Sequence, residues 1–351
     1  MTGTVILPAV RPVDPRWIVR AQERLDRLTK PRGSLGRLEW VAARLCVIQE
    51  TLAPVTAPSR ILIFAADHGV ASHGVSAYPP AVTAQMVGNF LKGGAAINAL
   101  AAVAGSDVWV VDVGVAGPIA EEGRHASLVR LPVRAGSRSM VDGPAMTHDE
   151  LDRALEAGIR AADAAAAAGI RTLGCGDMGI GNTTAASAIT SALTGAPPAA
   201  VTGRGTGIDD ERLAHKVALI AAALEKHHPD TPLETLRCVG GLEIAAVVGA
   251  YLGAAHHRLA VVGDGFVTTA AALVAAALCP AFADYWFAGH RSPEPGHAIQ
   301  LDCLGQRPLL DLDLRLGEAT GAALALPLLA AAAAMISGMA TFEDAGVATT
   351  A

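Results

Sequence analysis

The sequence predicts an α/β fold, with a parallel sheet covered by helices on both faces. Short apolar runs that end in glycine and polar residues alternate along the chain with longer segments of helical character. Strands that read as continuous apolar runs are typical of parallel sheets buried between two layers of helices. The polar clusters also come where the apolar runs end, and open parallel sheets bind ligands beyond the carboxyl ends of their strands.

The predicted elements follow one another in order. Asp14-Pro15 supplies an N-cap and a first-turn proline for a helix to about Thr29, and Ser34 can cap a second helix toward Glu50. Apolar runs predict strands at residues 60–66, 108–113, 171–175 and 259–264. Helices are expected at residues 80–103, 147–168, 183–194, 209–227, 241–254 and 267–278.

The composition excludes one class of partner and indicates another. The 351 residues carry a net charge of −6 with no block of Lys or Arg, which argues against nucleic acid as a partner. Charged residues make up 17% of the chain, against an average of about 25%, and the mean hydropathy is +0.39. Such a low surface charge indicates that a partner subunit covers apolar surface.

The cysteines and the apolar segments bear on the compartment. The five cysteines are scattered, odd in number and without C-x-x-C spacing, which favours a reducing cytoplasm and argues against a disulfide framework or a zinc site. Residues 1–15 lack the basic start and long apolar stretch of an export signal. Residues 321–340 carry no charge, but they contain Pro327 and Gly338 and are rich in alanine, so we expect a buried core helix and no membrane insertion.

The strongest functional signal is the segment 174–184, Gly-Cys-Gly-Asp-Met-Gly-Ile-Gly-Asn-Thr-Thr. Its glycines let backbone N–H groups approach a ligand, and Asn182, Thr183 and Thr184 can cap the following helix and donate hydrogen bonds. A helix N-terminus of this kind favours an anion, and phosphate is the expected ligand. The spacing matches neither the dinucleotide fingerprint nor the P-loop. A tight strand-to-helix turn with nothing bound is the structural alternative.

Three other strand ends and a second loop add to this signal. Asp67-His68-Gly69 follows the first strand, Asp112 ends the second, and Asp264-Gly265 ends the fourth. Residues 202–207, Thr-Gly-Arg-Gly-Thr-Gly, form a second flexible loop suited to an anion, and Lys216 in the next helix can reach a phosphate as a point charge. Together these strand ends predict a ligand site at one edge of the sheet.

Glu318 is the candidate general base. It lies in the run Arg315-Leu-Gly-Glu-Ala-Thr-Gly-Ala322, among small and apolar residues. Burial of that kind raises the pKa of a carboxyl group toward neutrality. A helix-start residue paired with Arg315 is the alternative.

Histidines in two segments leave metal binding open. His290 and His297 flank a polar loop and could form a zinc pair, although six residues separate them and no third ligand is obvious. Asp67, His68 and His73 could belong to a metallohydrolase, with hydrogen-bonded structural roles as the alternative.

A series of motifs runs in order along the chain, at residues 30–39, 67–70, 74–79, 82–87, 89–98, 176–184, 202–207, 240–246, 264–266 and 315–318. The most specific are GDMGIGNTT at 176–184, TGRGTG at 202–207 and RLGE at 315–318. Over residues 14 to 347 the chain resembles the family of nicotinate-nucleotide–dimethylbenzimidazole phosphoribosyltransferases.

The resemblance implies an activity and an architecture. Members of that family transfer the phosphoribosyl group of nicotinate mononucleotide to 5,6-dimethylbenzimidazole, giving α-ribazole 5′-phosphate and nicotinate in the synthesis of the cobalamin lower ligand. The implied fold is a Rossmann-like parallel sheet flanked by helices in residues 58–304. A small helical domain is implied from residues 1–57 and 305–351, with assembly as a homodimer. No metal and no cofactor is implied, because no pyrophosphate leaves and the departing pyridinium needs no general acid.

The resemblance also implies roles for individual residues. Glu318 would be the proton acceptor and Asp177 a supporting carboxylate. A slot for the flat base would involve Tyr78, Gln85, Met86 and Leu316. The implied ligands of phosphate and ribose are Gly176, Gly179, Gly181, Asn182, Thr183, Thr184, Arg204, Gly205, Lys216, Asp264, Gly265 and Ser292.

Two departures from the family pattern and two rival functions stand beside this interpretation. The family usually has Glu at the position of Asp177 and Gly at that of Ala319, which leaves the choice of base open. Residues 259–269 superficially resemble the acidic loop of enzymes that use phosphoribosyl pyrophosphate, with one acidic residue where a pair is expected. A non-catalytic nucleotide-binding subunit of the same fold is the rival from another class.

Overall fold

The computed structural model describes residues 5–119 and 127–348. Its helices are α1 (Arg16–Arg27), α2 (Arg37–Gln49), α3 (Ala81–Leu91), α4 (Ala96–Val103), α5 (His148–Ala167), α6 (Asn182–Thr194), α7 (Pro198–Val201), α8 (Asp210–His227), α9 (Pro232–Val239), α10 (Leu242–His256), α11 (Phe266–Leu278), α12 (Pro295–Cys303) and α13 (Thr320–Gly338). The strands are β1 (Ser59–Ala66), β2 (Asp107–Gly114), β3 (Leu128–Arg130), β4 (Thr172–Met178), β5 (Ala260–Gly263), β6 (Trp286–Ala288), β7 (His290–Arg291) and β8 (Leu310–Asp311).

Six strands form one parallel sheet in the order β3-β2-β1-β4-β5-β6, and β7 and β8 form a separate short pair. This is the Rossmann-like order, so the predicted fold class is confirmed. From β1 the chain extends outward through β2 and β3, then returns to add β4, β5 and β6 on the other side. The order therefore reverses between β1 and β4, and open sheets of this kind bind ligands beyond the carboxyl ends of the strands at such a reversal.

The third predicted strand is longer than expected. The prediction ended at Cys175, whereas β4 continues to Met178 and pairs Asp177 with Phe64 of β1. The first half of the glycine-rich segment thus belongs to the sheet. Pairing with β5 ends at Cys175, so the additional residues Gly176 to Met178 remain extended through their register with residues 63–65 of β1.

Two layers of helices enclose the sheet. α5 and α10 pack against each other and contact β2, whereas α4 and α13 pack together, with α4 against β2 and α13 against β4 and β5. α2 packs against both α1 and α13, which joins the N-terminal helices to the C-terminal one. The division into two domains at residues 57/58 and 304/305 stays a prediction.

The helix predictions need three corrections. Residues 80–103 form two helices, α3 and α4, because Gly93 adopts a positive φ of 76° between them. Ser34 does not cap α2, since Gly36 occupies its N-cap position without a side-chain hydrogen bond. Asp14 is not the N-cap of α1, since Pro15 occupies that position and the helix starts at Arg16, although Asp14 Oδ1 accepts the Arg16 backbone N–H at 3.0 Å.

Several short elements were not predicted, namely β3, β6, β7, β8, α7, α9 and α12. The strands among them have two or three residues, which is too short for a periodic pattern to distinguish them from loops.

α13 is a core helix, as expected. It and the stretch 81–103 are the two helical stretches of the described residues that are long and apolar enough to cross a membrane. α13 packs against α2, α4, β4 and β5, and Leu329 and Ile336 are fully buried in these contacts. Its apolar character is therefore explained by packing within the chain.

Gly158 tests the close packing of α5 on α10. A Cβ atom there would lie 1.8 Å from the carbonyl oxygen of Ala246. We expect Gly158→Ala to lower the free energy of unfolding by about 1–3 kcal/mol, measured by urea denaturation. Gly338→Ala is the matched control, because it also replaces a helical glycine but no atom lies within 4 Å of the added Cβ. Equal stability of the two variants would contradict this packing.

Candidate active site

A pocket of about 290 Å³ opens at the carboxyl ends of β4 and β5, beside the reversal of strand order. Its volume is near the lower end of the range for small-molecule sites, roughly 300–1,000 Å³. The ends of β4 and β5, the starts of α6 and α11, the loops around residues 205 and 292, and the segment before α13 form its walls. Of the four strand ends that the sequence predicts for one site, those around Asp177 and Asp264 line this pocket, whereas Asp67-His68-Gly69 and Asp112 do not.

The turn from β4 into α6 joins Asp177 to Asn182. Gly181, with a φ of 98°, occupies the N-cap of α6, so the side chains that follow do not cap this helix as predicted. Instead the Asn182 Nδ2 group donates to Asp177 Oδ2 at 2.7 Å. Thr184 is fully buried behind the pocket, and among the described residues its hydroxyl oxygen has no hydrogen-bond partner.

Asp177 sits among other carboxyl groups. Burial raises its pKa well above the ordinary value, and the charges of Asp264 and Glu243 raise it further, while the bond from Asn182 acts in the opposite direction. A raised pKa favours the protonated form, which can donate a hydrogen bond as well as accept one. Asp177 thus presents a carboxyl group to the pocket that tends to keep its proton.

Lys216 lies beneath the pocket and does not line it. Its Nζ atom donates to Thr183 Oγ1 at 2.8 Å and to the carbonyl oxygen of Gly203 at 3.3 Å. Burial lowers the pKa of the ammonium to about 8, and the charge of Glu294 acts in the opposite direction. Because Thr183 Oγ1 accepts this bond, its own O–H is left to donate elsewhere. Lys216 therefore ties together the two loops that the sequence predicts for an anion.

The loop at residues 202–207 lies over the contact between Thr183 and Lys216. Gly205 has a φ of 50°, and a Cβ atom there would lie 2.8 Å from Thr183 Oγ1 and 3.5 Å from Lys216 Nζ. The Gly205 N–H donates to Glu294 Oε1 at 3.0 Å, which fixes the loop. The neighbouring Arg204 side chain turns away, donating to the Ile208 carbonyl oxygen at 2.9 Å.

Asp264 ends β5 and binds the start of α13. Its Oδ2 accepts the Ala319 N–H at 3.1 Å, and its Oδ1 accepts the N–H groups of Gly321 at 2.7 Å and Ala322 at 3.2 Å. Asp264 is 1% exposed as a whole residue, and its side chain is fully buried. It therefore fixes the first turn of α13 to the carboxyl edge of the sheet.

Three consecutive residues before α13 have left-handed backbone, Gly317 at φ 82°, Glu318 at 61° and Ala319 at 64°. For residues other than glycine this conformation costs about 1–2 kcal/mol each. The turn directs Glu318 into the pocket, where it is 6% exposed and its Oε2 atom has no hydrogen-bond partner among the described residues.

The surroundings of Glu318 give it the properties of a base near neutral pH. Burial, and then the charge of Asp264, raise its pKa to about 7. The alternative pairing with Arg315 is not formed: that side chain is exposed at the rim, and no ion pair joins the two residues in the described part of the chain. An unpaired carboxylate with such a pKa can accept a proton from a bound molecule.

The histidines have hydrogen-bonded roles. His68 Nε2 lies 2.6 Å from Glu243 Oε1 in a buried pair behind the pocket. His297 Nδ1 accepts the Ser292 N–H at 2.8 Å and its Nε2 lies 3.0 Å from Thr269 Oγ1, while burial lowers its pKa to about 3. Across residues 5–119 and 127–348, no group of three or more His, Cys, Asp or Glu side chains is arranged to hold a metal ion.

The structure brings together part of the predicted set of site residues. Those that line the pocket are Tyr78, Asp177, Gly179, Asn182, Thr183, Gly205, Asp264, Gly265, Ser292, Leu316 and Glu318. Those that do not are Gly176, Gly181, Thr184, Arg204, Lys216, Gln85 and Met86. Gln85 is exposed on α3, and Gly176 lies under the backbone of Ala319.

Several residues that line the pocket were not among the predicted site residues, namely Thr206, Phe266, His290, Glu294 and Arg315. Each lies within or next to a segment that the sequence analysis did identify. His290 and Glu294 belong to the polar loop that was considered for zinc, and Phe266 follows Asp264-Gly265 directly. Their position in a polar segment near other predicted site residues could have indicated a role in the site. Such a position is weaker evidence for a site residue than a motif with fixed spacing.

Comparison with known proteins identifies the family. A family model described as phosphoribosyltransferase matches residues 10–347. The nicotinate-nucleotide–dimethylbenzimidazole phosphoribosyltransferase of Geobacter metallireducens is 52% identical over 98% of this chain and 97% of that protein. The protein of the same name from Thermus thermophilus is 52% identical over 95% of this chain and 99% of its own length. A crystal structure of CobT from Thermus thermophilus matches with a TM-score of 0.92, covering 96% of this chain and all of that one.

Proposed function

The chain belongs to the family of nicotinate-nucleotide–dimethylbenzimidazole phosphoribosyltransferases, and we propose that it carries out their reaction in the pocket at the ends of β4 and β5. It transfers the 5-phosphoribosyl group from nicotinate mononucleotide to 5,6-dimethylbenzimidazole. The products are α-ribazole 5′-phosphate and nicotinate, and the reaction belongs to the synthesis of the cobalamin lower ligand.

For this reaction the protein has to position the two substrates and to supply one general base. The bond between ribose C1′ and the nicotinate nitrogen breaks, and its electron pair neutralises the pyridinium as nicotinate leaves. A ring nitrogen of the benzimidazole forms the new bond to C1′, and the proton of the azole N–H must go to an acceptor. The protein therefore needs a binding site for the phosphoribosyl group, a slot for a flat base and one carboxylate.

Glu318 is that acceptor in our proposal, and one observation carries the assignment. Its Oε2 atom is buried in the pocket at the strand-order reversal and has no partner in the described part of the chain, so a ligand N–H would satisfy it. Asp177, near the end of β4, supports the site with a carboxyl group that tends to stay protonated. Such a group can donate a hydrogen bond to a substrate oxygen without adding a second negative charge.

The phosphoribosyl group is proposed to bind where the start of α6 meets the loop at residues 202–207. Thr183 offers its O–H, and the backbone around Gly179 and Gly205 approaches the pocket without Cβ atoms. The charge of Lys216 acts on a bound phosphate through the Thr183 hydroxyl to which it donates. Tyr78 and Leu316, both half exposed at the mouth, are proposed to bound the slot for the base, with Gln85 and Met86 as predicted neighbours.

The geometry at Asp264 argues against the use of phosphoribosyl pyrophosphate. In the rival interpretation, this residue would be part of an acidic loop that binds the ribose. Here both of its carboxylate oxygens accept backbone N–H groups from the start of α13. The loop that resembles that family in sequence is therefore occupied by a contact within the chain.

A homodimer in the cytoplasm completes the proposal. Large apolar side chains are exposed on the two N-terminal helices and before α13, namely Ile18, Val19, Trp40, Leu312 and Leu316, each at least 38% exposed. A two-fold contact would cover such surface and close the mouth of the pocket near Leu316. Cys46, Cys175 and Cys238 are buried free thiols, which fits a reducing compartment.

Replacement of Glu318 tests the assignment of the base. Glu318→Gln should lower kcat by about 10²–10⁴-fold with little change in KM, because the amide keeps the shape but cannot accept a proton. Turnover is measured with nicotinate mononucleotide and 5,6-dimethylbenzimidazole, and α-ribazole 5′-phosphate is identified by mass. Glu156→Gln, on the exposed face of α5, is the control for loss of one carboxylate. Turnover of E318Q near that of the control would contradict the assignment.

The pH dependence of turnover is an independent test of Glu318 as the base. With a pKa of about 7, Glu318 is protonated below neutral pH and ionised above it. Wild-type turnover should therefore fall as the pH drops through about 7, and the residual turnover of E318Q should lack this limb.

Lys216→Ala should weaken binding of the phosphoribosyl donor more than binding of the base. Lys216 holds the Thr183 hydroxyl that is proposed to bind the phosphate, so loss of this charge-assisted hydrogen bond, about 1.5–3 kcal/mol, should raise the KM for nicotinate mononucleotide by up to roughly 10- to 100-fold. Lys226→Ala is the matched control, since this lysine lies on the same helix, away from the pocket, and its ammonium donates to the carbonyl oxygens of Val141 and Asp142. An equal rise in the KM of both substrates would show that Lys216 is structural.

Dilution tests the homodimer. If a two-fold contact covers the apolar surface, activity and melting temperature should fall together as the chain is diluted, because mass action links folding to association. Light scattering or sedimentation gives the mass over the same range. A monomer with full activity at nanomolar concentration would refute the dimer.

A further inference from the structure

We propose that Asp264 is a positioning residue, which holds the backbone of residues 319–322 so that Glu318 faces the pocket. This goes beyond the predicted contact between Asp264 and ribose or phosphate, and it rests on Glu318 being the proton acceptor. The carboxyl group acts through the backbone and not on the substrate itself.

The hydrogen bonds of Asp264 carry the proposal. Three N–H groups, from Ala319, Gly321 and Ala322, converge on its two oxygens within 3.2 Å. The Asp264 N–H in turn donates to Thr268 Oγ1 at 2.9 Å, so α11 fixes the residue from behind. This chain of contacts joins a rigid strand end to the residue directly after Glu318.

The backbone conformation of the turn explains why it needs stabilising contacts from Asp264. Glu318 and Ala319 have φ values of 61° and 64°, and neither is a glycine. Left-handed backbone costs about 1–2 kcal/mol for each such residue, so the turn persists only where other contacts stabilise it. Three N–H bonds to a buried carboxylate are contacts of that strength. Release of the turn would move Glu318, and a misplacement of about 1 Å can cost roughly 100-fold in rate.

Several charged or titratable groups face Glu318 besides Asp264. Asp177 comes from β4, His290 from β7, Glu294 from the start of α12, and Arg315 from the turn itself. His290 Nε2 lies 3.6 Å from Asp264 Oδ1, so it also adjoins the positioning contact. Among these groups, Asp264 is the one whose replacement removes both a negative charge near Glu318 and an acceptor for the N–H of the following residue, Ala319.

Asp264→Asn is the decisive variant. The side-chain amide oxygen of D264N can still accept the N–H groups of Gly321 and Ala322. Its NH₂ group replaces the oxygen that accepts the Ala319 N–H, so two donors face each other there. We expect kcat to fall by about 10- to 100-fold with the KM for nicotinate mononucleotide nearly unchanged. The acid limb of the pH profile should also move to lower pH, because the charge of Asp264 raises the pKa of Glu318. Asp14→Asn is the control, since this carboxylate also accepts an N–H at a helix start.

A double-mutant cycle separates this proposal from the assignment of the base. If Asp264 acts through Glu318, D264N should reduce the turnover of E318Q by less than twofold. A multiplicative loss would overturn the positioning role and leave Glu318 as the base. Normal turnover of E318Q alone would instead overturn the assignment of the base.

Thr268→Val provides a second route that leaves the carboxylate charge in place. It removes the acceptor of the Asp264 N–H, so kcat should fall and the amides of residues 319–322 should exchange hydrogen faster, with no shift of the acid limb. If D264N does not fold, this variant decides the question. Two results would overturn the proposal: a raised KM for nicotinate mononucleotide with kcat unchanged in D264N, or unchanged kcat and exchange in T268V.

Discussion

The close approach of α13 to the carboxyl edge of the sheet is the constraint on which the site depends. A Cβ atom at Gly176 would lie 2.3 Å from the Ala319 nitrogen, one at Gly289 would lie 3.2 Å from the Ala322 Cα, and one at Gly321 would lie 1.9 Å from the His290 ring. Glycine at these three positions lets the helix start rest directly on the strand ends. The residue before Ala319 in this close contact is Glu318, which is 6% exposed.

Four carboxyl groups lie in or behind the pocket, and the hydrogen-bond partners of each group distinguish their roles. Asp264 receives three backbone N–H groups, Glu243 lies against His68, and Asp177 accepts a bond from Asn182. Glu318 alone of these four has a side-chain oxygen within the pocket that no described residue satisfies. Glu294 Oε2 also lacks a partner at the pocket, but Glu294 Oε1 accepts the Gly205 N–H, whereas neither oxygen of Glu318 accepts a hydrogen bond from the described residues. A buried carboxylate without a partner is costly, and such a cost is typical of a group that binds a ligand. Burial also brings its pKa to about 7, where a base works at neutral pH.

Much of this could be predicted from the sequence. Continuous apolar strands indicated the parallel sheet, and the polar residues at their ends indicated its binding edge, since both follow from local pattern. The limits of β4 could not be predicted, because Gly176 and Asp177 stay extended only through pairing with β1. The prediction for Lys216 differs from the structure for a similar reason. Its position on a helix suggested that its ammonium could reach a phosphate directly, whereas it is buried beneath the pocket and binds Thr183. Glu294 and His290 were missed as site residues because no spacing connects them to the glycine loops.

The sequence by itself determined the fold class, the edge of the sheet that binds a ligand and the family, because each depends on residue types and their order. The tertiary structure decided which of the polar residues reach the pocket, and that the Glu318 carboxyl group there has no hydrogen-bond partner among the described residues. The direction of the Glu318 side chain is the clearest case. It is set by three left-handed residues and by Asp264, which lies more than fifty positions earlier in the chain. Contacts between such distant segments form only when the sheet and α13 assemble, so no local pattern records them.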